Sequence, residues 1–166
     1  MLQPDHSTRI PELTRFVAKA AFPNSTLAIT LRDELGTIFD DTDFVHLYPA
    51  LGQSAESPAR LALVTLLQFV ENLPDRQAAD AVRGRIDWKY ALGLELSDAG
   101  FHSSVLTEFR HRLVDHGQER LLLDKLLAKC IEKNLLKGKG KQRTDSTHVL
   151  AAVRGLSLLE LVSEMS

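Results

Sequence analysis

The sequence predicts a mainly α chain, a helical bundle with helix-turn-helix-like elements, followed by a short strand and a terminal helix. Three observations carry this. Leu61, Leu63, Val64, Leu66, Leu67, Phe69 and Val70 fall on every side of a helical wheel, so Pro58 to Leu73 lacks the polar half of a surface helix and needs neighbours all round. Several flanking segments repeat apolar residues with helical period, among them Val105, Leu106, Phe109 and Leu113, and Leu122, Leu123, Leu126 and Leu127. Thr144 to Val149 breaks that pattern, with strand-favouring Thr and Val.

The elements follow in order. Residues 1 to 10 show no periodicity. Leu13, Phe16, Val17 and Ala20 predict a helix from Pro11 to Phe22, with Pro11 suited to the first turn and Pro23 and Asn24 stopping it. Ser25 or Thr26 then caps a helix through Leu27, Ile29, Leu31 and Leu35 to Gly36, although Ile29, Thr30 and Leu31 also suit a strand. Asp41 or Thr42 is the expected N-cap of a short helix through Phe44, Val45 and Leu47, and Leu51 to Glu56 is a loop. Ser57 caps the central helix, Pro58 fits its first position because it has no N–H to leave unpaired, and Asn72 and Pro74 end it. Asp75 starts a helix whose small face is Ala78, Ala79 and Val82. A short helix through Trp88 and Leu92 ends at Gly93, a loop runs from Glu95 to Phe101, and helices follow over Ser103 to Val114 and Gln118 to Leu136. Trp88 is read as a core anchor with a polar tip rather than a base-stacking platform. The Leu122 to Leu135 stripe either packs in the bundle or serves a dimer. Ala151 to Met165 has a terminal helical pattern.

Composition narrows the class. A hydrophobic fraction of 44% with 25% charged residues is globular and predicts a packed core. The lone cysteine, Cys130, excludes an intramolecular disulfide and reads as a buried structural thiol. No stretch resembles a signal peptide or a membrane span, so a cytoplasmic protein is expected. The net charge of -2 is unevenly spread: residues 1–57 hold four bases and eight acids, while residues 58–143 hold fifteen bases and eleven acids. A polyanion would bind the second part.

Within it, the Ser103 to Val114 segment divides as a DNA-reading helix does. Val105, Leu106, Phe109 and Leu113 share one face, Ser104, Thr107 and His111 lie opposite, and Arg110 and Arg112 flank them. Short polar groups can reach base edges and arginines can take phosphate or guanine, although any amphipathic helix shows this division. Lys137, Lys139, Lys141 and Arg143 alternate with Gly138 and Gly140, a basic segment able to follow a phosphate backbone or simply to be a solvated linker. Asp40, Asp41 and Asp43 invite a metal reading. They lack the glycine and distal glutamate of a calcium loop, so capping is expected. His102, His111 and His116 are not spaced as ligands on one helical face. Asp145 alone is an ordinary helix N-cap.

Taken together, the blocks DRQAADAV, DWKYALGLEL, FHSSVLTEFRHRL and QRTDSTHVLAAV, in that order, resemble the N-terminal region of insertion-sequence transposases of the DDE type. The resemblance spans roughly Asp33 to Val162. It implies a helical N-terminal domain, residues 1–136, that binds the terminal inverted repeats of an insertion sequence in double-stranded DNA. A basic linker, 137–143, and a truncated start of an RNase H-like catalytic domain, 144–166, follow. Thr107, Arg110, His111, Arg112, Lys137, Lys139, Lys141 and Arg143 are then the expected DNA contacts. Asp145 corresponds to the first of three carboxylates that hold divalent Mg or Mn ions. Two-metal chemistry needs a set of carboxylates that holds two ions about 4 Å apart, and after Asp145 the only acids are Glu160 and Glu164. The expectation is therefore a DNA-binding fragment without cleavage activity of its own. The alternative is a helical protein–protein interaction module, or inactive remnant, that dimerises with or inhibits a full-length transposase.

Overall fold

The computed structural model describes residues 1–2 and 9–135, and every element there is helical. The order is α1 (Glu12–Ala21), α2 (Leu27–Leu35), a 3-10 helix (Asp41–Leu47), α3 (Pro58–Glu71), α4 (Asp75–Gly84), α5 (Ile86–Leu92), α6 (Ser104–Asp115) and α7 (Leu121–Glu132). These eight helices, with no strand among the described residues, correct the expected helical bundle that runs into the strand of an RNase H-like domain to an all-α fold. The segments expected to form the strand and terminal helix, 144–149 and 151–165, lie outside the described residues, as does the basic stretch 137–143.

The central position expected of Pro58 to Leu73 is realised in α3. The Ser57 hydroxyl oxygen accepts from the Arg60 N–H at 3.3 Å, and Asn72 closes the helix in a left-handed conformation, φ 56°, with its N–H returned to the Gln68 and Phe69 carbonyls. Leu61, Ala62, Val64, Leu66 and Leu67 are all buried, and α3 touches the 3-10 helix, α4, α5 and α6. Each such leucine or valine stabilises the fold by about 1.5–3 kcal/mol through apolar burial.

In α1 the packing differs from the periodic reading. Leu13 and Phe16 are 60% and 71% exposed, while Thr14 and Ala18 are buried. The reason is close approach to α5: the fully buried Ala18 packs with Ile10, Ile29 and Tyr90, and the Thr14 hydroxyl donates to the Leu94 carbonyl at 2.7 Å. A bulky side chain at either place would force the helices apart. Asp33 of α2 ties the same corner, accepting from the Tyr90 hydroxyl and from Lys19. Thr26 caps α2 by accepting from the Ile29 N–H at 3.3 Å, so Ile29 to Leu31 are helical and not a strand.

The acidic cluster is resolved as capping, one residue earlier than expected. Asp40 caps the 3-10 helix in a reciprocal box with Asp43. Asp41, fully buried, accepts from the Ser57 hydroxyl at 2.6 Å and the Ala59 N–H at 2.9 Å, which joins the 3-10 helix to the start of α3. Trp88 is a core anchor: it is fully buried and its Nε1–H donates to Glu71 at 2.9 Å. Arg85 braces this pair, bridging Glu71 at 2.6 Å and Asp87 at 2.8 Å. Finally, α7 is shorter than the expected Gln118 to Leu136. Its Leu122, Leu126 and Cys130 are fully buried in the main core. Leu122, Leu123 and Leu126 of the leucine stripe thus serve the bundle, while Ile131 is 49% exposed.

Candidate nucleic-acid interface

The α6 helix is locked to α4 through one carboxylate. Arg110 donates both guanidinium nitrogens to Asp75, at 2.9 and 2.6 Å, Thr107 donates its hydroxyl at 2.8 Å, and Gln68 of α3 donates its amide at 2.6 Å. Burial pushes the Asp75 carboxyl up, but the hydrogen bonds from Arg110, Gln68 and Thr107 and the arginine charge outweigh it and bring the carboxyl down to about 2. Charge-assisted, bidentate pairs of this kind fix orientation as well as charge. The Gln68 carbonyl oxygen is buried without a partner among the described residues.

On the other flank of α6, Arg112 donates to the Leu47 carbonyl at 3.0 Å and lies 4.3 Å from the Tyr48 ring centroid. Two of the expected DNA-contacting arginines are therefore engaged within the domain, together with Thr107. Of the expected α6 contacts, His111 is exposed. Around it on the outward face stand Ser104, Glu108 and Asp115, two carboxylates and no arginine. Lys137, Lys139, Lys141, Arg143 and Asp145 lie outside the described residues.

A second surface, not singled out by the sequence, lies where α4 meets the start of α6. A groove of about 210 Å³ is lined by Arg76, Asp80, Arg83, Phe101, His102 and Ser103. The signal was present in DRQAADAVRGR, where Arg76 and Arg83 stand seven apart and so share one helical face.

No group of three His, Cys, Asp or Glu side chains among the described residues is arranged to hold a metal ion. The Asp40, Asp41 and Asp43 carboxylates are taken by protein donors, Asp43 also by Lys125 at 3.0 Å, and do not fit a cation site. Among the described residues no helix is long and apolar enough to cross a membrane.

Fold and site define an all-α domain whose helices are fastened by half-buried ion pairs and whose polar grooves are open. Residues 17–112 match the family model described as Transposase domain (DUF772), and the chain belongs to that family. No curated protein and no solved structure matches it.

Proposed function

We propose that this chain binds duplex DNA at the terminal inverted repeats of an insertion sequence, as the recognition part of a transposase. The observation that carries the reading is the match to a transposase domain over residues 17–112, which runs from within α1 to within α6. His111 on the outward face of α6 contacts the duplex, and Lys137, Lys139, Lys141 and Arg143 neutralise phosphates beyond α7. Arg110, Thr107 and Arg112 act by setting the angle of α6 through Asp75 and Leu47, and so shape the surface that meets DNA. By resemblance, Asp145 corresponds to one carboxylate of the divalent-ion (Mg or Mn) site of an intact family enzyme, and stable ion binding is not assigned to this chain. Two-ion chemistry needs further carboxylates, so no cleavage is assigned to this chain alone. Footprinting on a fragment carrying the element end tests the reading. Protection confined to the terminal repeats is expected, and protection absent or spread evenly along the fragment counts against it.

One observation favours a second reading, association with another copy of a transposase chain. The exposed Leu13 and Phe16 leave an apolar face on α1. Sedimentation at rising concentration decides: a mass that stays monomeric throughout removes this reading.

A further inference from the structure

We infer that the groove between α4 and the start of α6 seats a phosphodiester of the bound duplex, with Arg76, Arg83 and His102 as its ligands. This rests on the duplex-DNA reading above and goes beyond it by moving the phosphate contact from α6 to α4. The arginines of α6 face inward, to Asp75 and to the Leu47 carbonyl, and the outward face of that helix carries Glu108 and Asp115. A phosphate approaching α6 alone would meet two carboxylates. Approaching the groove, it meets two exposed guanidinium groups and an imidazole.

Each ligand is prepared differently. Arg83 is held by its Nε–H to the Ala99 carbonyl at 3.1 Å and lies 3.6 Å from Asp80, so its planar fork is already oriented. Arg76 is exposed and pairs with none of the described residues, which leaves its donors available. In His102 the Nδ1 atom lies 3.2 Å from the Ser104 backbone N–H, which can only donate. Nδ1 is therefore the acceptor, and Nε2 carries the proton of the neutral ring, a donor suited to a phosphate oxygen. Phe101 gives the groove an apolar wall that a deoxyribose can rest against. Asp80 is the opposing charge. Exposed and paired only loosely with Arg83, it weakens the site without closing it.

The test is fluorescence anisotropy of the full chain with a labelled duplex between about 50 and about 200 mM salt. Arg76→Ala with Arg83→Ala, which empties the site, is expected to reduce the slope of log K against log salt by about 0.9, the value for one phosphate, and Arg76→Ala alone by part of that. Arg76→Lys keeps the slope, and Asp80→Asn tightens binding, opposite directions that a loss of folding does not produce. Circular dichroism checks that the helices persist in each variant. Duplex binding with an unchanged slope in Arg76→Ala and in the double variant overturns the groove assignment alone. No binding by the wild-type chain overturns the groove and the DNA reading together.

Discussion

Replacing Asp75 by asparagine keeps the shape of the hub and removes its charge. Arg110, whose side chain is 23% exposed, then loses its counter-charge and the bond to the oxygen that becomes an amide nitrogen, and Gln68 and Thr107 compete for the one acceptor that remains. The size of the ionic part follows from the titration. A carboxyl brought from 3.8 to about 2 in the folded state contributes about 2 kcal/mol. Because the folded value is the depressed one, this stability is fully present above the unfolded pKa and is lost as pH falls through the folded pKa. The window runs from about pH 5 down to about pH 2. Urea unfolding followed by the fluorescence of the fully buried Trp88 measures it. At pH 7 Asp75→Asn should be less stable than the wild type by about 2 kcal/mol or more, since an arginine is left without its partner. Near pH 2 the gap should shrink by about 2 kcal/mol, because the wild-type carboxyl is then protonated in the unfolded chain and about half protonated in the folded one. A gap that stays constant over this range would falsify the ionic account of the hub and leave only shape and packing.

Other expectations follow from single residues. Phe44→Ala removes a fully buried ring set edge-on to Phe109, centroids 5.8 Å apart, and should cost about 3–5 kcal/mol in thermal or urea unfolding; a loss under about 1 kcal/mol would mean that the ring pair is not part of a tight core. Asp41→Ala strips the start of α3 of two hydrogen bonds and should cost about 1–2 kcal/mol, read in the same assay, with a silent mutation speaking against Asp41 as the clamp. Burial pushes the Cys130 thiol up to about 11, so it should resist a thiol reagent at neutral pH and react only on unfolding; prompt labelling of the native protein would contradict its burial. Changing Lys137, Lys139, Lys141 and Arg143 together to alanine should lower the salt slope of DNA binding by roughly 0.9 for each phosphate that the segment neutralises, and an unchanged slope would make it a linker only.

Features governed by neighbours in the chain were legible from the sequence. Ser57, Pro58 and Asn72 bracket α3 by capping chemistry that acts within one helical turn, and Gly93 ends α5 in the left-handed conformation, φ 68°, that glycine tolerates. Trp88 was readable because a lone large ring in a helical chain has few places other than the core. Features that depend on a distant partner were not. Periodicity showed that Leu13 and Phe16 share a face of α1 but not that α5 would meet the opposite one, where Thr14 and Ala18 permit closer approach. The DNA-reading pattern of Ser103 to Val114 carries no sign that Asp75, thirty-five residues earlier, claims Arg110. Once that pair is seen, the arginines of α4 become the exposed ones. The leucine stripe was clear as a pattern, yet only the fold distinguishes a bundle face from a dimer face, and it buries Leu122 and Leu126 completely.

The most direct measurement is the affinity of the full chain for a duplex carrying the element's terminal repeat, set beside a scrambled duplex of the same composition, at low and at physiological salt. Tighter binding to the repeat at both salts is predicted. Equal binding that collapses as salt rises would reduce the interaction to phosphate contacts, and no binding at low salt would contradict DNA recognition by this chain altogether.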